Sequence, residues 1–325
     1  MSLTRMFLIA ALVLGAFWLG ADTSTLMLAG AALSTEIPVA FAQKFRGDFL
    51  LLSQQRDSRL MKWVRDDPDF LEAKYGYFDR IGATTVNEVT TRHADTTLVN
   101  SAHSRRRIGL RDFDWADLID KRDMRRFLAA GSLPDKYKMN ATMAFKRKQD
   151  ELILNASRGN AYSIDEDDAA TTVALPSAQK VAINGTNGLT LAKLLSAKEI
   201  LDSANVDPDE PRVIVPSAAQ ITNLLNTTEV KSKEYNAVQA LVEGKIARFL
   251  GFDFEPTELA PISSTTRYVM CWAKSGMGIA KGQEINTDVG PRKDKRNSIQ
   301  VYVDMSMDAT RIEDAKVVEI ACYEA

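Results

Sequence analysis

Apolar and polar positions divide the chain into stretches of different period. From Met6 to Ala21 apolar side chains and glycines run without interruption behind the lone charge of Arg5. At sixteen residues the run falls short of the ~20 that a membrane-spanning helix requires, which predicts no stable membrane anchor. The texture turns charged and amphipathic near Gln43. From there to Val64, residues Phe45, Phe49, Leu52, Leu60 and Val64 stand among polar neighbours at loosely helical spacing, a stripe too narrow to fold alone. This pattern predicts an arm laid along another element.

Large apolar side chains are sparse from Tyr77 to Trp115. Thr84 to Thr91 is rich in β-branched residues and Arg107 to Phe113 alternates loosely, which predicts two β-arms joined by a polar connection. Such arms reach on the order of 40 Å at ~3.3 Å per residue. A two-stranded hairpin with no core is marginal in water, so this limb is expected to gain its stability on a neighbouring molecule. Next, Pro134 opens a run of strong helix formers through Leu154, and Gly159 stands where a helix would stop. One helix of roughly 35 Å at 1.5 Å per residue follows, long enough to act as a spine.

Beyond an acidic loop at Asp165 to Asp168, helical and strand periods alternate. Leu191, Leu194, Leu195 and Leu201 fall on one helical face, Arg212 to Val215 reads as a short strand, and Ser217-Ala-Ala-Gln220 has the form of a capping box. It would open a helix carrying Ile221, Leu224 and Leu225. A further helix is predicted from Tyr235 to Val242, ending at Gly244. Strands are predicted over Lys245 to Phe252, Arg267 to Ala273, Ser298 to Met305 and Lys316 to Tyr323, the closing pair returning after a long loop. The fold class is α+β.

Composition narrows the function classes. An apolar share of 45% with 26% charged residues excludes a disordered chain, a fibrous rod and a disulfide-stapled miniprotein. Basic minus acidic residues give 41 − 43 = −2, so no whole-molecule positive field drives nucleic-acid binding. Cys271 and Cys322 lie in apolar, strand-like runs and read as buried free thiols. With His93 and His103 as the two histidines, four-ligand zinc chemistry has no clustered ligand set.

No phosphate-cradling glycine motif, metalloprotease helix or nucleophile elbow occurs, and Gly276-Met-Gly278 reads as a turn. No enzyme chemistry and no cofactor are therefore expected. The acidic loop lacks the glycine and terminal glutamate of a calcium loop. Arg105-Arg106-Arg107 lacks an aromatic platform, and carboxylates at Asp112, Asp114 and Asp117 offset it nearby. Ion pairing between copies fits better, with Arg92, Asp95, Arg105, Arg106, Arg107, Arg111, Asp112 and Asp114 as candidate intersubunit contacts.

Four segments then carry a resemblance: Phe78-Asp-Arg-Ile-Gly82, Arg92-His-Ala-Asp-Thr96, His103-Ser-Arg-Arg-Arg107 and Asp112-Phe-Asp-Trp-Ala-Asp-Leu-Ile-Asp120. With Gly159-Asn-Ala-Tyr162, Ala174-Leu-Pro-Ser177 and Val213-Ile-Val-Pro-Ser217, the chain from about Pro38 onward resembles the major capsid proteins of tailed bacteriophages with the HK97-type fold. The resemblance implies an apolar extension over 1–42, an N-arm over 43–76 and an E-loop hairpin over 77–115. It also implies a P-domain over 116–184 that holds the spine helix and is closed by strands in 298–325, and an A-domain over 185–297.

It further implies hexamers and pentamers closing into an icosahedral shell around double-stranded DNA, assembled in the host cytoplasm with portal and scaffolding proteins and a decoration protein as partners. Some family members cross-link through an E-loop lysine; here no lysine lies between Tyr75 and Lys121, so a non-covalent shell is expected. The extension over 1–42 is too short for a built-in scaffolding domain, which points to a separate scaffolding protein. Two rival readings remain. Arg5, the apolar run and Ala40-Phe41-Ala42 fit an exported periplasmic or surface binding protein with a cleaved signal. An encapsulin-like compartment would share the fold.

Overall fold

The computed structural model describes residues 51–67, 75–92, 95–121, 133–164, 170–226 and 248–324. Two compact units divide the chain, residues 1–49 with 120–133 and residues 50–119 with 134–325. The elements below lie in the second unit, apart from Leu133, the first residue of its long helix.

Three sheets organise it. The first has the order β1–β13–β14–β4, formed by β1 (Arg65–Asp67), β13 (Met277–Arg292), β14 (Ser298–Arg311) and β4 (Arg111–Ile119). The second has the order β2–β3–β5–β6, formed by β2 (Tyr75–Ile81), β3 (His103–Gly109), β5 (Ala161–Ile164) and β6 (Ala170–Val173). The third runs β7–β15–β12–β8–β10–β9, from β7 (Lys180–Val181), β15 (Val317–Tyr323), β12 (Thr266–Ala273), β8 (Arg212–Val215), β10 (Phe252–Phe254) and β9 (Arg248–Phe249), with β11 (Ile262–Ser263) on the side of β12.

The spine helix α1 covers Leu133–Arg158, as the run of helix formers predicts. Gly159 ends it: its amide donates to the Asn155 carbonyl at 2.7 Å, and a Cβ there would stand 2.8 Å from that oxygen. Alternation in β14 turns Val301, Val303, Met305 and Met307 inward, and Gln149 of α1 reaches the Met305 sulfur at 3.5 Å, so the helix covers this face of the first sheet. The third sheet packs against α2 (Leu191–Ser203) and α3 (Ala218–Asn226) around Leu194, Leu201, Ile214, Leu224, Phe252 and Ile320.

Residues 51–67 lie along α1, as an arm should. Asp150, fully buried on the helix, accepts from the Ser58 hydroxyl and from the amides of Arg59 and Leu60, while Gln54 bonds Asn140 and Arg147. The segment forms a short 3-10 turn at Met61–Trp63 in place of the loose helix read from its spacing.

Four further expectations are corrected. Thr84 to Thr91 forms no strand, because β-branched residues need a packed partner surface and none of the described residues supplies one. The ladder closes lower down, with β2 paired to β3 and Gly82 donating to the Ala102 carbonyl at 2.8 Å. The stretch before Ser298 is not a loop but the sixteen-residue β13, whose alternation is hidden by bulges between Lys281 and Gln283 and between Gln283 and Asn286. The strand read over Lys245 to Phe252 is interrupted by a turn at Leu250 and Gly251, both in the left-handed region at φ 52° and 88°. Leu195 points outward, leaving Leu194, Ala197 and Leu201 as the buried face of α2. The helix expected at Tyr235 to Val242, the acidic loop at 165–168 and the extension over 1–42 lie outside the described residues.

Candidate assembly interface

A limb and its anchorage make up the candidate site. Its base is the β2–β3 pair, continued by β5 and β6, and the chain steps from this sheet to the first one at Leu110, between β3 and β4. Phe78, Ile108, Ala280 and Ile312 pack together across the step, with Leu110 beside them. Gly278 leaves room for this contact: a Cβ there would stand 2.7 Å from the Phe78 ring. The base of the limb is thus folded onto its own chain, whereas the described residues from Gly82 to Ala102 carry no regular element and are exposed throughout. Val86, Val89 and Leu98 are 99%, 85% and 86% exposed, an apolar load that an isolated chain leaves in water.

Beneath the limb lies an arginine cluster that sequence reading misses. Strand alternation turns Arg106 inward, where it is 2% exposed and ion-paired with Asp314. Its Nε donates to the Ile312 carbonyl at 3.3 Å, which also accepts from Arg80 at 2.9 Å. Arg311, fully buried, donates to Asp314 at 2.9 Å, to the Val173 carbonyl at 2.9 Å and to the carbonyls of Ser157 and Gly159 at the end of α1. One carboxylate and a few carbonyls therefore tie limb, spine and sheet together. Burial lowers the Arg106 guanidinium from its ordinary value, with the charge of Asp314 opposing.

The eight candidate contacts divide accordingly. Arg106 is spent inside the chain and is no surface residue, which corrects its assignment; the arginine triplet could not reveal which member turns inward, nor that its partner lies 208 positions away. Arg105 pairs with Asp79 and Arg111 with Asp308 on the surface, and Arg107 lies over the rings of Tyr75 and Tyr162, 4.9 and 5.1 Å from their centroids. Arg92, Asp95, Asp112 and Asp114 are exposed.

Among the described residues little else offers chemistry. Cys271 and Cys322 are buried and free, and burial pushes their thiols up to about 12 and about 11, away from nucleophilic use. Gly276 is a packing position, where a Cβ would meet Lys316 at 2.6 Å. A cleft of about 510 Å³ is lined by Lys198, Asp202, Arg212 and Leu250 among others, with Asp202 held below the usual carboxylate range by its hydrogen bond from Arg212. Among the described residues no group of three metal-ligating side chains converges.

Comparisons with known proteins give a consistent picture. A family model described as phage capsid protein matches residues 37–324. No curated protein matches the sequence at a significant level. Solved structures share the fold: the capsid of Ralstonia phage GP4 superposes with a TM-score of 0.65 at 12% identity, covering 90% of this chain and 98% of that one. The capsid of cyanophage P-SCSP1u gives 0.64 at 13% identity, covering 88% and 93%. That of Mycobacterium phage Che8 gives 0.61 at 16% identity, covering 86% and 97%.

Proposed function

The chain belongs to the phage capsid protein family, as a major capsid protein of tailed phages with the HK97-type fold, and from that premise we propose how its parts build the shell. Family membership overturns the exported-protein reading and makes the subunit a component of the virion capsid. In the proposed assignment residues 43–76 act as the N-arm, 77–115 as the E-loop, 116–184 with the closing strands as the P-domain, and 185–297 as the A-domain.

The observation that carries the reading is the limb: its base is locked by the Arg80, Arg106 and Arg311 cluster, and its tip presents Val86, Val89 and Leu98 to solvent. A firm base under an uncovered apolar tip suits a part that a sister subunit buries. Repetition over hexamers and pentamers turns weak interfaces into a closed icosahedral shell around double-stranded DNA. Portal, scaffolding and decoration proteins are the partners this reading entails, and the subunit acts without catalysis. Electron microscopy of the expressed full chain tests it: shells, sheets or capsomer rings are expected. A stable monomer at high concentration, with the tip folded back onto its own body, overturns it.

A further inference from the structure

The first sheet has two faces. One is covered by α1; the other carries Asp112 and Asp114 on β4, Asp304 on β14 and Asp288 on β13, side chains of one alternation parity brought into a row by strand register. Asp114 stands directly opposite Asp304, an arrangement of like charges that disfavours the folded sheet. Arg111 neutralises Asp308 at one end of the row. Asp112, Asp114 and Asp288 are exposed and have no ion pair among the described residues, Asp304 is half-buried and accepts from the Gln283 side-chain amide at 2.8 Å, and Leu118, 42% exposed, lies on the same open face.

The opposite charge sits on the turn that joins β13 to β14. Arg292 is paired with Asp294, but Lys293, Lys295 and Arg296 are exposed and make no ion pair among the described residues. Arg296 and Asn297 hold left-handed backbone at φ 53° and 57°, a tight turn that projects these cations from the sheet end. The two patches cannot neutralise each other within one copy. Ser298 pairs with Arg292 at the turn, Tyr302 with Asp288 four residues on and Asp304 with Asp114 two residues farther, a separation of roughly 13 Å for the nearer carboxylate and roughly 20 Å for the farther ones at ~3.3 Å per residue. That exceeds the ~8 Å screening length of physiological salt.

We propose that the basic β13–β14 turn of one copy docks on the acidic open face of β4, β14 and β13 of a second copy. The proposal rests on the shell reading and names a contact within it. Each subunit carries both halves, so a head-to-tail contact satisfies both patches of every copy and can propagate around a closed assembly. A basic partner of another kind would leave the cationic turn unanswered, whereas a sister subunit answers both.

Charge reversal in the full chain tests it, with assembly followed by light scattering and electron microscopy and folding by circular dichroism. D112K/D114K and, separately, K293E/K295E/R296E are expected to stay folded and to raise the threshold concentration for assembly at least tenfold at low salt. The five changes together should bring the threshold back towards that of the parent. A parent that assembles while either set of reversals leaves the threshold unchanged overturns the docking contact and spares the shell reading; so does a combined variant no better than the worse of its halves. A parent that never self-associates overturns both.

Discussion

Single side chains carry the energetics of the limb's anchorage. Asp314 is the carboxylate that compensates both Arg106 and Arg311, whose side chains are 3% and 0% exposed. Asp314→Ala strands two buried cations, and removing one partner of a buried pair costs about 3–5 kcal/mol. Chemical denaturation of the variant is expected to show a loss of that size, and a loss below about 1 kcal/mol would mean the cluster is compensated elsewhere. A second carboxylate binds the C-terminal segment. Burial alone would push Glu324 up, but hydrogen bonds from Arg267, Gln220 and Ser217 and the charge of Arg267 hold it down, at about 2. A folded value below the unfolded one contributes stability above the unfolded value of ~4.3, lost as pH falls towards 2. Glu324→Gln should therefore flatten the decline of melting temperature between pH 5 and pH 2, and an unchanged acid slope would contradict it. Sequence could place Ser217 and Gln220 in a capping box, and Ser217 does accept from the Gln220 amide at 3.4 Å. The Gln220 side chain does not close the box: its Nε2 reaches Glu324 and the Tyr323 carbonyl, partners over a hundred positions away that no local pattern encodes.

Elements were legible where one period ran undisturbed. The spine helix, β8, β12 and β15 follow from propensity and alternation, since their neighbours support what the local sequence prefers. Two bulges break the alternation of β13, and the pairing of Tyr75–Ile81 with His103–Gly109 is anchored by Phe78 and Ile108 against a distant sheet rather than by the β-branched run at Thr84. The separation of base and tip has a consequence. Replacing residues 84–100 by a short flexible linker removes exposed side chains alone among the described residues, so the melting temperature should stay within about 2 °C while shells are lost. A marked drop in melting temperature would mean that the tip stabilises its own subunit. Gly276→Ala acts in the opposite sense: it forces a methyl against Lys316 at 2.6 Å, where the Ile312 amide also bonds the Gly276 carbonyl at 2.9 Å. Overpacking of this kind costs about 1–3 kcal/mol, expected as a lower unfolding midpoint in denaturant.

At the scale of the whole molecule, sequence texture led to the fold and to the shell, while the docking surfaces needed the structure, because register alone brings Asp112, Asp114, Asp288 and Asp304 into one row. The same scale decides how the shell holds together. An isopeptide cross-link made through the limb needs an amine there, and the chain offers none between Tyr75 and Lys121. The cations that the limb does carry are arginines, and Arg105, Arg106 and Arg107 are engaged with Asp79, with Asp314 and with tyrosine rings. Arginine stays protonated near neutral pH and does not serve as the nucleophile of such a bond. In the proposed assembly cohesion comes from apolar burial at the limb tip and from exposed ion pairs of ~0.2–1 kcal/mol each, repeated around the shell. Mature particles boiled in detergent are accordingly expected to run as one monomer band on a denaturing gel. They should also loosen in high salt, which screens the charged contacts first. A ladder of covalent multimers would place a cross-link elsewhere in the chain and remove the need for these weak contacts.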